Sequence, residues 1–148
     1  PAEMASYLAL LLDAERREAW ALSCGDCRLG KGLRADLRWL TPVHDLGSMA
    51  VHFTGASLDG ASRRTLTRCL RGRRFEPPEV LRIEGLDGPW ILATDGYWLE
   101  HVVEAVQMNR LRDDASYLRL EGGMPGVQCD SDCDNWQLFG RGVVEEAR

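Results

Sequence analysis

The sequence predicts a mixed α+β domain built on antiparallel sheet. Three observations carry that expectation. Short apolar runs recur along the chain, several are joined in pairs by polar or glycine-containing links, and one late stretch after Trp98 has clear helical spacing. The length of 148 residues suits one cored domain. A hydrophobic content of 45% argues against a disordered chain.

Residues 5–13, ASYLALLLD, form an unbroken apolar run, followed by the charged AERRE and then by AWALSCG at 19–25. Two apolar runs with a charged link predict an antiparallel hairpin. A single helix through 3–22 competes, because Ala, Leu, Glu and Arg all favour helix. The run has little polar face to keep wet, which favours the hairpin. RADLRWL offers another short strand. TPVHDLGSMAVHFTGASLDGA, rich in Gly, Ser, Thr and Asp, predicts a long irregular or partly helical excursion. PPEVLRIEG and PWILATD repeat the hairpin pattern around LDG, with strands expected at 79–84 and 90–94. From Trp98 to about residue 108, Leu99, Val102, Val103 and Val106 fall at helical spacing, which predicts an amphipathic helix. ASYLRLEG alternates as a strand over 115–121.

Charge and composition narrow the function classes. The chain has 23 acidic against 18 basic residues, and Lys31 is its single lysine, so nothing general favours nucleic acid or an anionic membrane. No apolar run approaches the roughly 20 residues needed to cross a bilayer. The opening residues lack a basic segment and a small-residue cleavage site, so no signal peptide is expected. Five cysteines are an odd count, against a fully paired secreted scaffold. A cytoplasmic location is the expectation.

Three stretches end or begin an apolar strand on aspartate: ALSCGDCR with Asp26, ILATDG with Asp95, and RLRDDASYLRL with Asp113 and Asp114. Hard cations such as Mg²⁺ and Mn²⁺ take carboxylate oxygens, and carboxylates far apart in sequence meet if their strand ends share one edge of a core. Ordinary turn aspartates are the competing reading, since Asp-Gly is a common turn pair.

These motifs, in this order, resemble the later part of the PP2C family of metal-dependent serine/threonine protein phosphatases. Gly25-Asp26-Cys27-Arg28 is similar to that family's Gly-Asp-Ser-Arg. LRWLTPVHD is similar to its strand and Leu-Thr-x-Asp-His, with His44 and Asp45 reversed and displaced. LTRCLRG is similar to Leu-Thr-Arg-Ala-Leu-Gly, ILATDGYWLE to Leu-x-Ser-Asp-Gly-Leu-Trp-Asp, and DDASYLRL to Asp-Asp-Asn-x-Thr with its strand. The resemblance covers about residues 5–121. It implies a shortened antiparallel β-sandwich with flanking helices, over a single truncated domain at 1–148 with residues 122–148 as a C-terminal extension. It implies metal ligation by Asp95 and one of Asp113 and Asp114, with the backbone of Gly96 beside the metal and Asp26 near an additional ion. The implied chemistry is attack of a metal-activated water on a phosphate monoester.

The family's first metal motif, Asp-Gly-x-Gly-Gly, has no counterpart, and the arginine that would hold substrate phosphate is absent. No catalytic residue is established. Two functions follow. The first is a diverged or truncated module, a pseudophosphatase, inactive alone, that binds Mg²⁺ or Mn²⁺ weakly and acts through a protein partner or a homo-oligomer. The second is a portion of an active phosphatase whose N-terminal part is supplied elsewhere.

Cys24 with Cys27 and Cys129 with Cys133 could form a tetrahedral zinc or redox site, and Cys129–Cys133 a disulfide. Plain thiols are the favoured reading, with Cys24 buried in its strand. CDSDCDN opens like a calcium loop, but Asn135 and Arg141 stand where glycine and glutamate are needed, which favours a solvated turn. The six arginines within 63–74 read as a solvated face, without the basic net charge of a nucleic-acid patch.

Overall fold

The computed structural model describes residues 4–33, 36–55, 60–63, 65–121 and 127–131. Strand β1 (Met4–Ala5) leads into β2 (Tyr7–Asp13), β3 (Glu18–Cys24), β4 (Arg28–Lys31) and β5 (Arg38–Trp39). Helices α1 (Leu46–Thr54) and α2 (Gly60–Arg63) follow, then β6 (Leu70–Arg71), β7 (Glu79–Glu84) and β8 (Trp90–Ala93). A π-helical segment at Gly96–Val103 and a 3-10 turn at Met108–Arg110 precede β9 (Ser116–Leu120) and β10 (Val127–Ser131).

The strands form two facing antiparallel sheets, of order β2-β3-β7 and β10-β9-β8-β4-β5, plus a small β1-β6 pair. The predicted hairpin over 5–25 forms, with Tyr7 opposite Cys24 and Asp13 opposite Glu18. Its turn is held by the Asp13 carboxylate, which accepts the Glu15 and Arg16 amides at 3.0 and 2.9 Å. The first run is split at Ser6, whose hydroxyl turns to Asp26 and so lets Met4–Ala5 pair with β6 instead.

Between the sheets Ala21, Leu29 and Trp90 form a buried cluster, with Leu8, Leu10, Leu81, Ile83 and Leu92 packed on it. The other face of the five-stranded sheet carries a second cluster, Ile91, Ala93 and Trp98, against the π-helical segment. Trp90 and Ile91 thus point into different layers. A strand buried on both faces reads as a continuous apolar run, which is why WILA lacks polar alternation. The architecture is the antiparallel sandwich with flanking helices that the sequence predicts.

Several expectations need correction. PPEVLRIEG and PWILATD do not pair: β7 joins β3 while β8 joins β4 and β9, so the LDG link crosses between sheets. RADLRWL shortens to Arg38–Trp39, with Arg34 and Ala35 outside the described residues. The helix expected over 98–108 spans Gly96–Val103 and is π-helical. Ala105, with φ 57°, adopts a left-handed conformation that stops it. Wider i→i−5 bonding displaces the 3.6-residue repeat. Gly96, Trp98 and Glu100 are therefore the buried positions, while Val102 and Val103 are exposed. Cys129–Ser131 lies in β10, paired with β9, rather than in a turn. Asp132, Cys133, Asp134 and the rest of the extension from 132 lie outside the described residues.

Candidate functional site

Asp26, Asp95, Asp113 and Asp114 come from three separate parts of the chain, and hydrogen bonds hold those parts at one end of the five-stranded sheet. Gly25 has φ 109°, and a Cβ there would lie 2.1 Å from Ser6 Oγ, so only glycine fits the turn. Ser6 donates to Asp26 Oδ1 at 2.5 Å and accepts the Asp26 amide at 3.2 Å. His44, buried, pins the same turn. Its Nδ1 accepts the Gly25 amide at 3.1 Å, its own amide donates to the Gly25 carbonyl at 2.9 Å, and its Nε2 meets Glu79 Oε2 at 3.2 Å. The Gly25 amide therefore requires the Nε2–H tautomer whenever the ring is neutral.

Asp95 follows β8 by one residue, at the start of the π-helical segment. Thr94 joins this end to β9: its amide donates to the Ser116 carbonyl at 3.0 Å, and its Oγ1 accepts the Ser116 amide at 2.8 Å. Gly96 packs so tightly on the next loop that a Cβ would lie 2.5 Å from the Asp114 carbonyl oxygen. The loop is fastened from the other side by buried Glu100, which accepts the Arg112 amide at 2.7 Å and pairs with Arg112 Nε at 3.4 Å. Trp98 closes the arrangement, its indole N–H donating to the Asp26 carbonyl at 2.7 Å.

The electrostatics follow from this convergence. Burial, then the Asp26 and Asp113 carboxylates, raise the Asp95 pKa to about 6. Asp113 and Asp114 are exposed, and Asp113 is the one of the pair that acts on Asp95. Cys27 sits in the same field: burial, then Asp26 and Asp95, push its thiol up to about 12. It is accordingly a protonated thiol near neutral pH, a poor nucleophile and metal ligand. Cys24 keeps other company, buried beside Cys69, with burial the main cause of its raised pKa. Cys24, Cys27 and Cys69 are free thiols. The side chain of Cys129 and all of Cys133 lie outside the described residues.

The donor chemistry of three aspartates suits a hard cation, but the arrangement does not form a ready centre. No group of three or more His, Cys, Asp or Glu side chains able to hold a metal ion occurs among the described residues. One oxygen of Asp26 is taken by Ser6. The residues present do not fit a preformed dinuclear centre. Arg28 does not neutralise the carboxylates either. Its guanidinium lies 4.9 Å from the Trp98 ring and 5.2 Å from that of Trp39, and its Nε donates to the Thr41 carbonyl at 3.3 Å.

The sequence reading missed Glu100, His44 and Trp98 as the groups that hold the aspartate turns. The available signal was a glutamate two residues beyond Trp98, between the apolar Leu99 and Val102. Asp45 also proves to be a helix cap, its carboxylate accepting the Ser48 amide at 2.5 Å.

No family model matches the chain, and no curated protein matches it. No described helix is long and apolar enough to cross a membrane. Solved structures do match. The chain is similar to the serine/threonine phosphatase Stp1 from Staphylococcus aureus, at 14% identity and a TM-score of 0.55, over 70% of this chain and 40% of that one. It is similar to a bacterial serine phosphatase at 15% identity and a TM-score of 0.54, over 70% of this chain and 41% of that one. The chain thus spans about two-fifths of the length of these phosphatases. At such identity the likeness concerns the fold alone: the sandwich resembles that of these serine/threonine phosphatases.

Proposed function

We propose that this chain is a diverged PP2C-like module that acts through protein contact, with little phosphatase activity alone. The outer face of the three-stranded sheet supports this reading most directly. Ala19, Ala21 and Ser23 of β3 point inward and are buried, so Trp20 and Leu22 point out. Paired residues of adjacent strands share a face, which makes Ala9, Leu22 and Val80 one cross-strand row and Leu11 with Trp20 the start of the next. Leu11 is 51% and Val80 60% exposed. Arg82, opposite Trp20 and ion-paired to Glu18, borders these residues, and an exposed apolar patch with a charged rim suits an interaction surface, for a protein partner or a second copy. Mg²⁺ or Mn²⁺ binding at Asp26, Asp95 and Asp113 is weak in this reading, because Ser6 already takes one Asp26 oxygen and Asp113 is exposed to water. A cytoplasmic setting is part of this proposal.

One observation favours a second reading, a portion of an active metal-dependent phosphoserine/phosphothreonine phosphatase. The matched phosphatases are more than twice as long as the shared part, and the same sheet face would receive the remainder. The test combines light scattering with an assay on a phosphopeptide in Mn²⁺, for wild type and Asp95→Asn. The module reading expects association without turnover above background. Robust turnover that disappears in Asp95→Asn overturns it in favour of the enzyme.

A further inference from the structure

On the far side of the five-stranded sheet from that surface, a cavity of about 420 Å³ opens between α1, the π-helical segment and β4. Its walls include Arg28, Arg63, Val51, Trp98, Leu99 and Val103. It is an open cleft of small-molecule size, with a lining that is part apolar and part charged.

The two arginines set its chemistry. Arg28 is half-buried, and burial lowers its pKa to about 10 with no carboxylate acting to offset the loss of water. The flanking rings of Trp39 and Trp98 fix its guanidinium in place. Arg63 crosses the first turn of α1, close enough that a Cβ on Gly47 would lie 2.9 Å from its Cγ. Neither arginine belongs to an ion pair among the described residues. Asp45 is the one carboxylate in the lining, and it is buried and committed to the Ser48 amide. The end of α1 is therefore already capped, and the guanidiniums are the groups left to meet an anion. A half-buried guanidinium without a counter-ion has lost part of its hydration, and a ligand carboxylate or phosphate would form charge-assisted hydrogen bonds with it. Val51 and Val103, both exposed, and Leu99 supply an apolar wall beside the charge.

We propose that this cleft binds an organic anion, a carboxylate or phosphate carried on an apolar body, with Arg28 and Arg63 at the anion and Val51, Leu99 and Val103 at the body. The site is separate from the sheet surface and does not depend on the interaction reading. It needs no metal.

The test is calorimetric titration of the purified chain, in EDTA, with 1-naphthoate, 1-naphthyl phosphate and the neutral 1-naphthalenemethanol. The expected result is one-site binding of at least one anion, with the neutral probe about tenfold weaker or more. The tighter of the two anions identifies the source of the charge. Arg63→Gln, at an exposed position, weakens the anion about tenfold, and Arg28→Lys weakens it by losing the planar fork. Equal affinity for the neutral probe, unchanged affinity in Arg63→Gln or in Arg28→Lys, or no binding of either anion at millimolar concentration overturns the proposal. Light scattering and phosphatase assays report on the interaction reading separately.

Discussion

His44 and Gly25 are joined by two hydrogen bonds, the glycine amide to the imidazole Nδ1 at 3.1 Å and the histidine amide to the glycine carbonyl at 2.9 Å. They lie 19 residues apart, and the pair holds the turn that presents Asp26. His44→Phe keeps the ring volume but leaves the buried Gly25 amide without its acceptor. An unsatisfied buried donor costs about 1–3 kcal/mol, so the urea midpoint is expected to fall at an unchanged slope. A midpoint equal to wild type would show that water replaces the imidazole.

Gly96→Ala places a methyl group 2.5 Å from the Asp114 carbonyl oxygen, against backbone that cannot rotate away. Overpacking of this kind costs about 1–3 kcal/mol. The Asp113–Asp114 loop is expected to move off the π-helical segment, and hydrogen exchange at Ser116, whose amide bonds Thr94 Oγ1, to speed up. Retained protection at Ser116 would show that the loop does not depend on this contact.

Asp95 makes stability pH-dependent with a defined sign. Its pKa is about 6 in the folded chain and about 3.9 in an unfolded one. The folded state therefore holds its proton longer. The stabilisation is fully present below about pH 4 and is lost as pH rises through about 6. Asp95→Asn removes that loss. Its stability relative to wild type is expected to climb between these pH values and level off above them, by about 1 kcal/mol after discounting for partial exposure. Thermal melts at pH 4, 6 and 8 measure it. A difference between variant and wild type that is constant across the three would place Asp95 in water.

The sheet face is tested by Leu11→Lys with Val80→Lys. Both side chains are about half exposed or more, so the double variant is expected to fold, with a stability change within about 0.5 kcal/mol per site. Self-association measured by light scattering, or capture of a partner, is expected to drop. Association that persists in the folded double variant would move the contact elsewhere.

What the sequence alone determined is local. Apolar runs and polar links are properties of neighbouring residues, and they placed the hairpin of β2 and β3, the strands β7, β8 and β9, and a helix after Asp95. The order of short motifs also pointed to the sandwich and to Asp26, Asp95, Asp113 and Asp114. Tertiary structure decided the rest. β7 and β8 flank a short glycine link as hairpin strands do, yet each finds a better apolar partner in a different sheet. Val102 and Val103 have the spacing of a buried face, but π-helical bonding turns Trp98 and Glu100 inward in their place. Arg28 lies two residues from Asp26 in the sequence, yet the rings of Trp39 and Trp98 hold its guanidinium. In each case the deciding energy comes from contacts between residues far apart in sequence, which periodicity and propensity do not record.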